Sequence, residues 1–282
     1  MIDFNALKDP YLIAEVGINH NGDLQIAKKL IDAAFACSWD CVKFQKRNPD
    51  KCVPESQKKI KKATPWGEMT YLEYKHKMEF SKTEYEYINH YCREKPIDWT
   101  VSVWDIDSLQ FAAQYNLPFL KIPSPHLTNM ELLKEASCLG LPVVLSTGMS
   151  SIEEIDRSVE ILEKYASQYV LLHCNSSYPA KLEELNLRVI PMLKERYNCP
   201  VGYSGHEYGL DSTTVAVSLG AMVIERHITL DHTMWGTDQS SSVEIQGMDK
   251  LYKQIRSVGP ILGDGKKCVY ESEKIVRSKL RP

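Results

Sequence analysis

The chain carries only a slight excess of acidic over basic residues, no C-x-x-C pair and no long apolar run. Each absence removes a class of function. A formal net charge of -3 over 282 residues gives no general pull towards nucleic acid. No apolar run nears the roughly 18 residues that a membrane span needs. The start, Met1-Ile2-Asp3-Phe4-Asn5, lacks the basic-then-apolar order of a secretory leader. The eight cysteines (37, 41, 52, 92, 138, 174, 199 and 268) lie partly inside apolar runs. They read as buried free thiols in a reducing cytoplasm, not as a disulfide frame or a zinc site. H-E-x-x-H, the P-loop and G-x-S-x-G are all missing.

What is there is an alternation. Eight short apolar runs recur: "YLIAEVGI", "CVKFQ", "WTVSVW", "FLKIPS", "PVVLST", "YVLLHC", "PVGYSG" and "MVIERHIT". Helix-like stretches follow them at 24–37, 83–95, 106–115, 129–138, 152–165, 187–197, 212–219 and 248–262. The first shows the stripe Leu24, Ala27, Leu30, Ile31, Ala34 and Phe35, a 3.6-residue period. Apolar strands alternating with helices imply a parallel sheet covered by helices. Eight units predict an α/β fold, a (β/α)8 TIM barrel over 1–262. A doubly wound open sheet is disfavoured because no G-x-G-x-x-G follows the first run. An insertion at about 47–81, rich in lysine and aromatics, is either a solvated helix and loop or a wall over the barrel mouth. The polar, basic stretch 263–282 reads as an extension that packs on the barrel or leads to a partner.

Such barrels place chemistry at the C-terminal strand ends. All eight ends here carry polar residues. In order they are Glu15; Lys43 and Gln45; Ser102 and Asp105; Lys121, Ser124 and His126; Ser146 and Thr147; His173, Asn175, Ser176 and Tyr178; Ser204 and His206; and Glu225, Arg226 and His227, with Asp238 in the loop beyond. Lysines in apolar strands are costly unless an anion faces them. Lys43 and Lys121 with the hydroxyls of Ser124, Ser146 and Ser204 suit a ligand carrying phosphate and carboxylate. Alternatively the lysines pair with Glu15 or Glu225. His206 and His227 end adjacent strands and could form a divalent-metal pair completed by water and a carboxylate.

The segments "AEVGINHNG", "VKFQ", "LKIPS", "LSTGMSSIEEI", "LLHCNSSYP", "NLRVIPML", "VGYSGHEYG" and "GAMVIERHITLD" together resemble the sialic acid synthase family. The resemblance implies a (β/α)8 barrel that condenses phosphoenolpyruvate with an open-chain amino-sugar aldehyde. It implies that Lys43, Lys121, Ser124, Ser146, Ser176 and Ser204 hold phosphoenolpyruvate. His206 and His227 would bind manganese or magnesium, with Glu15 near the metal-bound water and Tyr178 and Asp238 near the sugar. Ser102 and Gln45 join the substrate-binding set. Either Glu15 or Asp238 would handle the attacking water. The expected partners are the two substrates, with no nucleic acid and no membrane, and a homodimer is possible. A metal-dependent pyruvate aldolase and a non-catalytic sugar-binding barrel are the alternatives.

Departures from the family pattern fall on the acceptor side. The usual K-I-x-S-x-E reads Lys121-Ile122-Pro123-Ser124-Pro125-His126, so an imidazole replaces the acid that touches sugar hydroxyls. The usual S-T-P-F reads Ser102-Val103-Trp104-Asp105, and P-G-P-D reads Trp235-Gly236-Thr237-Asp238. Relatives commonly continue into an antifreeze-like domain that lends an arginine to the acceptor. This sequence ends at "RSKLRP", near where that domain would begin. Either the domain is lacking by nature or the sequence is a piece of a longer protein. In the first case Arg47, the lysine-rich insertion and Arg281 are the candidate substitutes.

Overall fold

The structure, a computed structural model, describes residues 1–281. Eight strands close into a barrel: β1 Tyr11–Gly17, β2 Cys41–Lys46, β3 Asp98–Val103, β4 Leu120–Ile122, β5 Val143–Ser146, β6 Tyr169–Cys174, β7 Val201–Gly205 and β8 Val223–His227. Each pairs in parallel with its neighbours in sequence, and β8 closes on β1. The covering helices are α1 Leu24–Ala36, α2 Lys82–Glu94, α3 Ile106–Ala112, α4 Met130–Ser137, α5 Ile152–Tyr165, α6 Val189–Tyr197, α7 Asp211–Ser218 and α8 Ile245–Leu262. The expected fold is therefore the fold found.

Local chemistry starts and aims these helices. Asp23 accepts from the Gln25 and Ile26 N–H groups and caps α1, whose Ala27, Leu30, Ile31 and Ala34 are buried. Ser151 and Glu154 form a capping box on α5, which buries Ile155, Val159 and Leu162. The main core lies between the barrel and these helix faces.

A smaller core fills the barrel itself: Tyr11, Ile13, Cys41, Phe119, Val144, Val170, Leu172 and Val223, with Phe4 plugging the base. Phe4 meets Phe119 edge-on at 5.5 Å and Tyr11 at 6.0 Å. Side chains alternate along a strand, so the next inward position lies one layer up. There the composition changes. Ile13 gives way to Glu15, Cys41 to Lys43, Phe119 to Lys121, Val144 to Ser146 and Val223 to Glu225. The register places Glu15 beside both Lys43 and His227, and Glu225 beside Ser204.

The insertion after β2 forms two short helical turns, a hairpin (Lys61–Thr64 with Gly67–Thr70) and a helix, Tyr71–Met78. Tyr74 and Met78 pack on Ile18 and Trp235 above the barrel. The tail helix Glu271–Leu280 buries none of its residues, so it does not pack on the barrel, and Arg281 is exposed. No helix among the described residues is long and apolar enough to cross a membrane.

Candidate active site

The polar layer opens into a cavity of about 320 Å³ at the C-terminal ends of the strands. Glu15, Lys43, Gln45, Ser102, Lys121, Ser124, Ser146, Ser176, Tyr178, Ser204, His206, His227 and Asp238 all line it. One expected residue does not. The flanking prolines fold Ser124–His126 into a 3-10 turn, which takes residue 126 off the strand's inward alternation. The His126 ring packs edge-on against Trp104 at 5.3 Å instead. Other polar strand-end residues turn out to be structural. Asp105 caps α3 through the Ser108 N–H, His173 bonds the Leu185 carbonyl, and Arg226 points outward to Glu207.

The cavity floor is an ionic lattice. Lys43 Nζ lies 2.5 Å from Glu15 Oε2 and 3.6 Å from Glu225, and Lys121 Nζ lies 4.0 Å from Glu225. The lysines thus face carboxylates and line the cavity at once. Burial opposes the charge on Lys43, but Glu15 and Glu225 outweigh it and hold its pKa up. Burial wins at Lys121 and lowers its pKa, because Glu225 is more distant. Burial likewise raises the Glu15 carboxyl above its usual range despite Lys43. Glu225 goes the other way, down to about 2: burial resists, but Lys121 and Lys43 flank it. Two neighbouring carboxyls are thereby pushed apart, one as a proton acceptor and one as a fixed anion.

Beside the lysines sits a neutral cradle. Lys121 donates to Ser146 Oγ at 2.6 Å, and Ser204 donates to Glu225 Oε1 at 3.1 Å. The Gly148 N–H donates to Ser124 Oγ at 3.0 Å, and that oxygen lies 3.2 Å from Cys174 Sγ. A Cβ on Gly148 would come within 2.3 Å of Ser176 Oγ, so only glycine lets these groups converge. Gly17, at φ +55, gives the His227 ring similar room.

Across the cavity stand the two histidines, with ring centroids 5.6 Å apart. His206 Nδ1–H donates to the Asn175 carbonyl at 2.7 Å, leaving Nε2 with a free lone pair. Burial and the neighbouring His227 depress its pKa to about 4. Burial also lowers His227, whose Nδ1 is buried without a hydrogen-bond partner, 4.0 Å from Asp238. Both rings are therefore neutral near pH 7, the form that binds metal. Tyr178 lies over them, its hydroxyl 3.4 Å from His227 Nε2. Among the described residues no cluster of three or more His, Cys, Asp or Glu could hold a metal ion. The pair fits two protein ligands of an open site, where water and substrate supply the rest.

Lys75, Trp104, Gly148, Met149 and Cys174 also border the site. The sequence marked them only as parts of longer segments, Lys75 within the lysine-rich insertion and the others within the family-like motifs and their departures. Arg47 had been one of the candidate acceptor contacts, and it reaches the cavity. Arg281 does not.

Comparison with known proteins follows the same lines. The profile of the NeuB family matches residues 30–267. The N-acetylneuraminate-9-phosphate synthase of Drosophila melanogaster is 40% identical over 245 residues, covering 86% of this chain and 66% of the fly protein. The N,N'-diacetyllegionaminic acid synthase of Campylobacter jejuni is 36% identical over 283 residues, covering 97% of this chain and 85% of that protein. The crystal structure of the N-acetylneuraminic acid synthetase from Leptospira borgpetersenii, in complex with citrate, superposes with a TM-score of 0.86 at 34% identity, covering 97% of this chain and 93% of the other. The chain belongs to the NeuB family, the family of the sialic acid synthases.

Proposed function

We propose that the chain condenses phosphoenolpyruvate with an open-chain amino-sugar aldehyde, giving a 3-deoxy-2-ulosonic acid and inorganic phosphate. One observation carries this reading: a cationic, hydroxyl-rich cradle and a pair of neutral histidines face each other across a single cavity. The cradle suits the enol phosphate and carboxylate, and the histidines suit the aldehyde end. The relatives' names support the reaction class: the fly protein is a sialic acid 9-phosphate synthase and the Campylobacter protein a legionaminic acid synthase.

The residues divide the work. Lys43 and Lys121 neutralise the anionic groups, while Ser146, Ser176, Ser204 and Ser124, itself held by the Gly148 N–H, fix their orientation, so C3 meets the aldehyde carbon at a set angle. A divalent cation on His206 and His227, manganese or magnesium, would polarise the aldehyde oxygen. C3 forms the new C–C bond, and the carbonyl oxygen takes a proton. Water adds at C2 and gives up one proton. As the C2–O bond to phosphate then breaks, the remaining hydroxyl proton passes to the departing phosphate and the keto acid is left. We assign the water's proton to Glu15. It is deeply buried with a raised pKa, and an anion drawing Lys43 away from it would raise its proton affinity further. Asp238 lies at the more open side, near Thr237, and we give it and Tyr178 the sugar. All eight cysteines are free thiols, which fits a cytoplasmic setting.

The test is an acceptor screen with phosphoenolpyruvate and manganese, reading phosphate release and product mass. Acceptor-dependent phosphate with a product heavier than the sugar by the three-carbon unit is expected. The same product from pyruvate without phosphate release would assign an aldolase. Chelator and His206→Ala should each abolish turnover, and turnover indifferent to both would remove the metal from the mechanism.

A further inference from the structure

We propose that Arg47 and Lys75 form an anion subsite on the wall of this cavity, which takes the terminal phosphate monoester of a phosphorylated acceptor sugar. The inference rests on the synthase reading and names its substrate class.

The subsite lies on a graded line of side chains. Lys43, Gln45 and Arg47 occupy alternate positions along and just past β2, so they climb the same inner face. At about 3.3 Å per residue, roughly 13 Å of chain separates Lys43 from Arg47. Gln45 bridges the two levels: its Nε2 donates to Glu15 at 3.2 Å, and its Oε1 accepts from Arg47 Nη2. The floor holds the reacting end of the substrates, and Arg47 stands where the far end of an extended sugar arrives. Its guanidinium is buried, braced by Glu79 at 2.8 Å and stacked on Trp104 at 4.8 Å.

Lys75 comes to the same place from the insertion. The capping box of Thr70 and Glu73 starts its helix, and Tyr74 and Met78 turn inward. Lys75 then lines the cavity against the rings of Tyr71 and Tyr74, at 5.1 and 5.4 Å. Some lysines of the insertion have partners, Lys51 with Asp107, Lys58 with Glu55 and Lys61 with Glu68, while Lys62 lies over the Tyr74 and Trp235 rings outside the cavity lining. Among the described residues Lys75 has no carboxylate within ion-pair distance and makes no hydrogen bond through Nζ. Burial, then repulsion from Arg47, lowers its pKa to about 8. Glu79 matches Arg47, and Asp238 and Glu79 favour the Lys75 charge only from beyond ion-pair distance, so one ammonium stays unsatisfied in a desolvated wall, which an anion relieves. A planar fork beside a point charge suits a phosphate dianion and offers little to a neutral hydroxyl.

Phosphate chemistry could also reach this wall from phosphoenolpyruvate itself, and the two sources separate in kinetics. The assay compares a 2-acetamido-2-deoxyhexose acceptor with its 6-phosphate, in wild type, Lys75→Met and Lys75→Arg. Wild type should favour the phosphorylated acceptor in kcat/KM by about tenfold or more, the worth of one charge-assisted hydrogen bond. Lys75→Met should lower that ratio about tenfold through the acceptor KM, and Lys75→Arg should restore most of it. Equal use of both acceptors by wild type overturns the inference. So does a KM rise in Lys75→Met confined to phosphoenolpyruvate. A calorimetric titration with the sugar 6-phosphate alone reads the subsite without turnover. Weaker binding to Lys75→Met with no condensation of any acceptor would keep the subsite and sink the synthase reading. Equal binding to both proteins sinks the subsite.

Discussion

Gly148 sits where Ser124, Cys174 and Ser176 converge, and a methyl group there would lie 2.3 to 2.9 Å from all three side chains. Such contacts force the serines apart, and they are the neutral half of the phosphoenolpyruvate cradle. Gly148→Ala should raise the KM for phosphoenolpyruvate by about tenfold or more, the cost of at least one misplaced hydrogen bond to a charged group. Its acceptor KM should change far less, and a steady-state comparison of both substrates checks this. Lys75 gives a pH prediction at the same scale. With a pKa of about 8, its charge is present below that pH and lost as pH rises through it. Of its neighbours, Tyr74 is pushed up to about 12 and Tyr71 is raised by burial, so neither ring titrates with it. The kcat/KM for a phosphorylated acceptor should therefore fall above about pH 8. Lys75→Arg should move that fall out of the measurable range, because arginine does not deprotonate there. A profile identical in both proteins would remove Lys75 from binding. Single residues were legible in the sequence where the strand kept its alternation, as with Lys43, Lys121, Ser146 and His227. His126 was misplaced because the two prolines end that alternation just before it.

Elements impose a further rule that a list of polar strand ends overlooks. In "VIERHI" the residues 225, 226 and 227 all look like site residues, but a strand turns only alternate ones inward. Arg226 therefore leaves the cavity and binds between β8 and α7. Its Nη1 donates to Glu207 Oε1 at 2.9 Å and Thr213 Oγ1 at 2.7 Å, and its Nη2 to the Glu207 carbonyl at 2.7 Å. Both charges are almost fully buried, and Tyr203 and Ser212 donate to the same carboxylate. Removing one member strands the other without water. Arg226→Met should destabilise the fold by about 3–5 kcal/mol, as breaking a buried pair does. Adding Glu207→Gln should recover part of the loss, because the orphaned charge is gone. Urea denaturation of the three proteins measures it, and a loss under about 1 kcal/mol for the single variant, within the range of an exposed pair, would mean water reaches Glu207. The insertion shows the opposite limit of legibility. Its lysines are alike in sequence, and only the capping box at Thr70 with the buried Tyr74 and Met78 selects Lys75 for the cavity.

At the scale of the whole molecule, eight β/α units were countable because each strand is an apolar run and each helix an apolar stripe, and closure followed from the count. The register that sets Glu15 beside Lys43 and His227 was not countable, since it depends on how the barrel shears as it closes. The tail gives the prediction that belongs here. Helix Glu271–Leu280 buries no residue, and Val269, Tyr270, Ile275, Val276 and Leu280 are all exposed. A segment that buries nothing within the chain adds nothing to its unfolding free energy. A chain ending at Gly263 should therefore melt within about 2 °C of the full one, since about 1 kcal/mol moves a chain of this size by some 2–4 °C. Its cavity residues all lie before that point, so its affinity for phosphoenolpyruvate should match. The exposed apolar side chains have another consequence, because they associate more readily as concentration rises. If the full chain melts higher than the short one, and by a margin that grows with protein concentration, the tail is docking on a second copy and stabilises it by mass action. A margin independent of concentration would instead place the tail against its own barrel, contrary to the fold described.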